Sequence, residues 1–147
     1  FGHETVSRRL VSELCERLRI PNRFRELAEH VAAYHTHIHK AFELLPKTLL
    51  RVFESTDAFR KPERFHQLLL ACEADSRGRL GFEDRAYPQV EFYRELLAAC
   101  LAVDVQAIIR DGFQGIQIKE QLRARRRGAI RVTRQIFKAR QKATTLA

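Results

Sequence analysis

The sequence predicts an all-α fold, a bundle of about seven helices, and three observations carry that prediction. Apolar residues recur at three- and four-residue spacing along one stretch after another. The four prolines stand only between those stretches or at their first turns, where a fixed φ and a missing N–H cost least. No stretch alternates apolar and polar residues as a half-buried strand does.

The first helix is expected over 3–18, where Val6, Leu10, Leu14 and Leu18 repeat at four with Val11 and Cys15 beside them. His3, seven before Leu10, falls at the N-terminal end of that face. Ile20, Pro21 and Asn22 break the helix. The second, about 22–39, turns Phe24, Leu27, Ala28, Val31 and Ile38 inward, with His35 inside the stripe and His39 at its edge. His30 and His37 lie on a face expected to be exposed. Pro46 opens the third helix, 46–57, with Leu49, Leu50 and Phe53 inward and Asp57 on the same side. Pro62 opens the fourth, whose inner face carries Phe65, Leu68, Leu69 and Cys72. Gly78 ends it, and Gly81 permits a sharp turn. Pro88 opens the fifth, to about 103, with Val90, Tyr93, Leu97, Cys100 and Leu101 inward. Asp104 caps a short sixth helix that stops at Asp111 and Gly112. The last begins near Gly115 and reaches about Arg140 on a thin apolar seam of Ile118, Leu122, Ala129, Val132 and Ile136. Residues 143–147 are expected to fray.

Hydrophobic residues make up 45% of the 147, enough for a core without covalent staples. No run approaches 18 apolar residues, which excludes a membrane-spanning helix, and no signal-peptide pattern is present. Cys15, Cys72 and Cys100 are odd in number, far apart and set among apolar residues, so they read as buried thiols of a reducing compartment. A chain that begins at Phe1 and contains no methionine is expected to be a piece of a longer protein.

The net charge of +9 is localised. Residues 119–142 hold ten basic side chains against Glu120 alone, leaving 17 basic and 17 acidic elsewhere. Ten like charges on one helix repel one another unless a polyanion covers them, so Lys119, Arg123, Arg125, Arg126, Arg127 and Arg131 are candidate phosphate contacts. Phe137 is either a base-stacking ring or part of the seam.

Two further clusters invite a chemical reading. His3, His35 and Asp57 are polar residues on the inner faces of successive helices, which fits either a divalent-metal site that activates water or separately satisfied core and helix-end groups. Glu73, Asp75, Arg77 and Arg79 form a charged knuckle where the fourth helix ends. Glu73 and Asp75 point about 200° apart on a helix, so they cannot clamp metal ions together and read as ties to Arg77 or Arg79.

The knuckle carries a resemblance. FRKPERF at 59–65, ACEADSRGR at 71–79, GFED at 81–84 and YPQ at 87–89 resemble, in order and spacing, the C-terminal part of bacterial CCA-adding enzymes. These are tRNA nucleotidyltransferases, here of the multifunctional type that carries an HD phosphohydrolase domain. The likeness runs from about residue 2 to about residue 127, and GFQG at 112–115 matches a Gly-x-x-Gly block of the family. It implies that residues 1–60 are the remainder of an HD domain and residues 61–147 a helical tRNA-binding body and tail. It implies a cytoplasmic parent protein that adds C, C and A to tRNA 3′ ends from CTP and ATP with Mg²⁺. The HD domain of the family also hydrolyses 2′,3′-cyclic phosphates and 2′-nucleotides, with a divalent transition metal such as Ni²⁺. His3, His35 and Asp57 match late metal-site positions of that domain. Two departures stand out: the His-Asp pair that names the domain is absent, and Thr36 follows His35 where the family often has Asp. Nucleotide-adding carboxylates belong to a head domain of the family, so this portion is expected to bind and position tRNA without adding nucleotides. The rival readings are a stand-alone helical metal phosphohydrolase and a helical module that binds an acidic protein partner.

Overall fold

The computed structural model describes residues 3–146, and the side chains of residues 5–144. Every regular element among them is helical: α1 His3–Arg17, α2 Asn22–His39, a 3-10 turn Ala41–Glu43, α3 Pro46–Ser55, α4 Pro62–Arg77, α5 Gln89–Leu101, α6 Val105–Arg110 and α7 Ile116–Leu146. The predicted all-α bundle of about seven helices is therefore the observed one, with the 3-10 turn added. Pro46 and Pro62 stand in the first turns of their helices, and Pro88 immediately precedes α5. Asp104 caps α6 by accepting from the Gln106 N–H at 2.8 Å.

One core joins α2, α3, α4, α5 and α7, with Ile38, Leu49, Phe53, Phe65, Leu68, Leu96 and Phe137 among its buried members. A run of rings passes through it. Phe59, Phe53, Phe65, Tyr93, Phe92, Phe137 and Phe42 follow one another at centroid separations of 5.1–6.0 Å, and Phe42 also lies 4.8 Å from Phe92. Such tilted, edge-on and stacked pairs add about 0.5–1.5 kcal/mol each beyond the area they bury. The three cysteines are buried and free. Burial pushes the Cys72 and Cys100 thiols up to about 12, so both remain protonated.

Two helices end without glycine in the left-handed turn. Asp57 (φ 57) follows α3 and Arg19 (φ 51) follows α1. At each, the next N–H reaches back to the helix's last turn: Ala58 to the Phe53 carbonyl at 2.9 Å, and Ile20 to the Cys15 carbonyl at 2.9 Å. This closure satisfies carbonyls that the helix end would orphan, and it offsets a left-handed penalty of about 1–2 kcal/mol. Asp57 therefore lies beyond α3 in the turn, not on the inner face of a helix running to 57.

The predicted faces fail in three places. On α1, Val6, Leu10, Leu14 and Leu18 are 45–57% exposed, whereas Cys15 is buried and Ser7 and Val11 are half-buried. Two stripes one residue apart were available, and the one buried in the structure carries the smaller side chains. Phe24 and Leu101 are also exposed, while His30 and His37 are half-buried. On α7, Val132 and Ile136 face solvent, and Ile130 and Phe137 are the buried anchors. The α7 helix continues to Leu146, past the expected end near Arg140, and Ala147 lies outside the described residues.

The packing of α7 has a direct test. Phe137→Ala is expected to cost about 3–5 kcal/mol of unfolding free energy, and Ile136→Ala less than about 0.5 kcal/mol, in urea denaturation. Comparable losses at the two positions would contradict this packing.

Candidate nucleic-acid interface

The 31 residues of α7, at about 1.5 Å each, make a rod of roughly 46 Å that lies on α3, α5 and α6. Its ten basic side chains divide into two groups. Arg123 grips the Glu54 carboxylate with two bonds, at 2.7 and 3.0 Å. Arg125 pairs with Asp111, and Arg140 with Glu95 and Glu91. Arg134 donates to the Phe42 carbonyl at 2.9 Å. Arg126 lies 3.8 Å from the centre of the Phe59 ring, and burial holds its pKa below the ordinary value. These five serve the fold. Charge pattern alone marks Arg123, Arg125 and Arg126 as phosphate contacts, but the structure gives each an internal partner, because arginine stems bury readily beside carboxylates, carbonyls and rings.

The second group is Lys119, Arg127, Arg131, Lys138 and Lys142. All five are at least partly exposed, and none has an ion pair among the described residues. At 3.6 residues per turn, Arg127, Arg131, Lys138 and Lys142 fall within a sector of about 60° and extend over roughly 22 Å. Arg127 also lines a cleft of about 220 Å³ with Lys47, which is likewise without an ion pair among the described residues. The like-charged pairs Arg127/Arg131 and Lys138/Lys142 sit four apart, each costing the helix about 0.2–0.5 kcal/mol unless an anion lies across them. Phe137, a possible base-stacking ring by sequence, is only 1% exposed and belongs to the core.

The knuckle is tied in a way the sequence only half predicts. Arg77 pairs with Glu73 at 2.8 Å as expected. Asp75, on the opposite side of α4, reaches α2 instead of Arg79: its carboxylate lies 3.1 Å from His39 Nε2. His39 Nδ1 is 2.8 Å from the Tyr87 hydroxyl. The Asp75 carboxylate can only accept, and in a neutral ring with its proton on Nε2 the Nδ1 atom accepts from the Tyr87 hydroxyl, whose pKa burial pushes up. Both ring nitrogens are thus engaged.

The inner polar set is dispersed. His35 Nδ1 donates to the Val31 carbonyl at 3.0 Å, and the Thr36 hydroxyl lies 3.5 Å from Nε2. His35, Thr36, His39, Lys40, Asp75 and Arg79 line one cleft of about 550 Å³. Asp57 lines no part of it. Its carboxylate accepts from Arg60 at 2.9 Å, which holds its pKa below the ordinary value, and Arg64 is 3.9 Å away. His3 opens α1, and its side chain lies outside the described residues. Among the described residues no three His, Cys, Asp or Glu side chains gather as a metal ion would require. The carboxylate that shares a cleft with His35 is Asp75, a pairing between α2 and α4 that spacing within one helix cannot reveal.

Comparison with known proteins bears out the resemblance read from the sequence. The chain is 52% identical over 130 residues to a multifunctional CCA protein of Thioalkalivibrio sulfidiphilus, a match covering 88% of this chain and 32% of that protein. It is 54% identical over 121 residues to the multifunctional CCA protein of Vibrio cholerae, covering 82% and 30%. It is 45% identical over 131 residues to that of Mannheimia succiniciproducens, covering 89% and 31%. The chain thus spans about a third of the length of the curated relatives it matches. No family model and no solved structure matches it. No helix among the described residues is long and apolar enough to cross a membrane.

The histidine face of α2 sets a pH dependence. Burial, with Arg64 and Arg8 nearby, holds His30 below its ordinary 6.5. The unfolded chain therefore takes up this proton first as pH falls, and the group's contribution to stability declines through and below that value. His30→Gln is expected to flatten this part of the stability profile, measured as urea midpoints between about pH 7 and about pH 5. Superimposable profiles would contradict the assignment.

Proposed function

We propose that this chain is a C-terminal portion of a multifunctional CCA protein, and that its own task is to hold tRNA while a catalytic centre elsewhere in the longer protein extends the 3′ end. Identities of 45–54% across most of the chain support the family assignment. The carrying observation for the task is the set of four outward cations in one sector of α7, without ion pairs on a rod otherwise tied down by arginine. Cations in a row contact phosphates without reading bases, which suits an enzyme that must accept every tRNA. CTP, ATP and the Mg²⁺ that nucleotide addition needs belong, in this proposal, to that other centre. The protein would work in the cytoplasm, where tRNA is matured.

The test is a salt titration of tRNA affinity. Replacing Arg127, Arg131, Lys138 and Lys142 with Ala is expected to weaken binding and to flatten the log–log salt slope by about 0.7–0.9 for each phosphate left without its cation. Helix content should persist, because Ala favours helix as well as Arg or Lys does. Replacing Arg123, Arg125 and Arg126 should instead lower the melting temperature, since those side chains hold α7 to the body. Wild-type affinity and slope in the first variant would overturn the proposed grip.

A phosphohydrolase role is a second reading, favoured by the cleft in which His35 meets His39, Asp75 and Arg79. Of the family's metal-site positions that the resemblance assigned to His3, His35 and Asp57, His35 lines this cleft and Asp57 does not. The described residues do not assemble a metal site by themselves, so a Ni²⁺-type ion would need ligands from elsewhere in the longer protein. In that protein His35→Ala should abolish phosphate release from a 2′,3′-cyclic nucleotide and leave CCA addition intact. Undiminished release would exclude His35 from this chemistry.

A further inference from the structure

The segment between α4 and α5 is held at its exit and open at its middle. Tyr87 is buried against His39, and the Gln89 amide donates to the His39 carbonyl at 3.1 Å, so the end of the segment is fixed to α2. Gly81 (φ 83) turns the chain, and beyond that turn Phe82 remains 39% exposed. The Arg85 guanidinium stands 5.2 Å from the centre of the Phe82 ring. Arg79 and Arg85 are exposed, and neither has an ion pair among the described residues. The nearby Glu83 makes no ion pair with either among the described residues, and its pKa is lowered chiefly by its own backbone N–H. Arg79, Phe82, Arg85, Tyr87, Gln89 and His39 line a cleft of about 440 Å³.

An exposed ring beside two unpaired guanidinium groups suits an unstacked nucleotide: cations take phosphate oxygens, and a ring face or guanidinium plane takes the base. The location agrees. Gln89 begins α5, and Glu91 and Glu95, within its first two turns, pair with Arg140 of α7. The cleft therefore lies at the end of the bundle toward which the α7 cations run. We infer that this cleft holds an unpaired nucleotide of the bound RNA, with Arg79 and Arg85 on phosphate and Phe82 against the base. The inference rests on the RNA-holding role proposed above and adds to it a preference for unstacked RNA that a row of cations does not provide.

The experiment uses the 147-residue chain, a short single-stranded oligoadenylate and a blunt-ended RNA duplex, with affinities measured at one salt concentration and the oligoadenylate also titrated with salt. Phe82→Ala is expected to weaken oligoadenylate binding about tenfold, the worth of one stacked base, and to leave duplex binding unchanged. Phe82→Tyr, which keeps a ring, should restore it. Arg79→Ala with Arg85→Ala should weaken oligoadenylate binding and lower its salt slope by about one to two. Leu80→Ala, at a neighbouring side chain that is 95% exposed, should change neither and controls for disturbance of the turn. Wild-type oligoadenylate affinity in both the Phe82→Ala and the double-arginine variants would overturn the inference, as would a Phe82→Ala loss equal on oligoadenylate and duplex. The α7 quadruple variant separates the two ideas. If it alone loses affinity, and for both RNAs, the cationic grip stands and the cleft assignment falls. If only the cleft variants lose affinity, the reverse holds.

Discussion

The continuous run of aromatic rings through the core is the constraint on which the other features depend. Phe53 brings α3 to Phe65 of α4 and Tyr93 of α5, while Phe92 and Phe137 seat α7 on the adjacent face of α5. Phe42 in the 3-10 turn closes the far end against Phe92 and Phe137. Large flat side chains in edge-on contact accept few alternative arrangements, so they fix helix rotation as well as helix separation. The rotation of α7 then follows. With Phe137 and Ile130 inward, Arg126 must lie over Phe59 and Arg134 must reach Phe42, and the sector holding Arg127, Arg131, Lys138 and Lys142 is left outside.

That rotation assigns two roles to one residue type. An arginine whose stem is covered and whose guanidinium meets a ring, a carbonyl or a carboxylate acts as part of the scaffold. An arginine or lysine turned outward in a row of its kind strains the helix electrostatically and becomes useful when a polyanion arrives. The net charge of the chain is a property of α7, but about half of that helix's cations already have a partner within the fold.

The same logic runs through the knuckle. Asp75 and Tyr87 are both engaged by His39, which ties the end of α4 and the start of α5 to α2. The anchoring is largely polar, and it leaves the intervening turn with its ring and guanidinium groups exposed. A turn fixed at its ends presents those groups without the full ordering cost that a mobile loop would meet on binding.

Helix existence, order and most helix starts were legible in the sequence because they rest on local chemistry: apolar periodicity, prolines in first turns, the Asp104 cap and the turn after Gly78; the ends of α3 and α7 were not. The likeness to CCA-adding enzymes was legible for a related reason, since FRKPERF, ACEADSRGR and GFED are contiguous strings. Helix rotation was not legible. On α1 and α7 two faces separated by one residue were similarly apolar, and packing selected the one that periodicity does not favour, with smaller side chains on α1 and with two arginines on α7. Asp57 was misplaced because Asp in a left-handed turn looks, by spacing, like one more residue of α3. Asp75 found His39 rather than Arg79 because the partner lies 36 residues away on another helix. Local propensity determines which segments become helices, whereas the partner of each face and each charge is a long-range choice made by close packing, and that choice exists only once the helices have assembled.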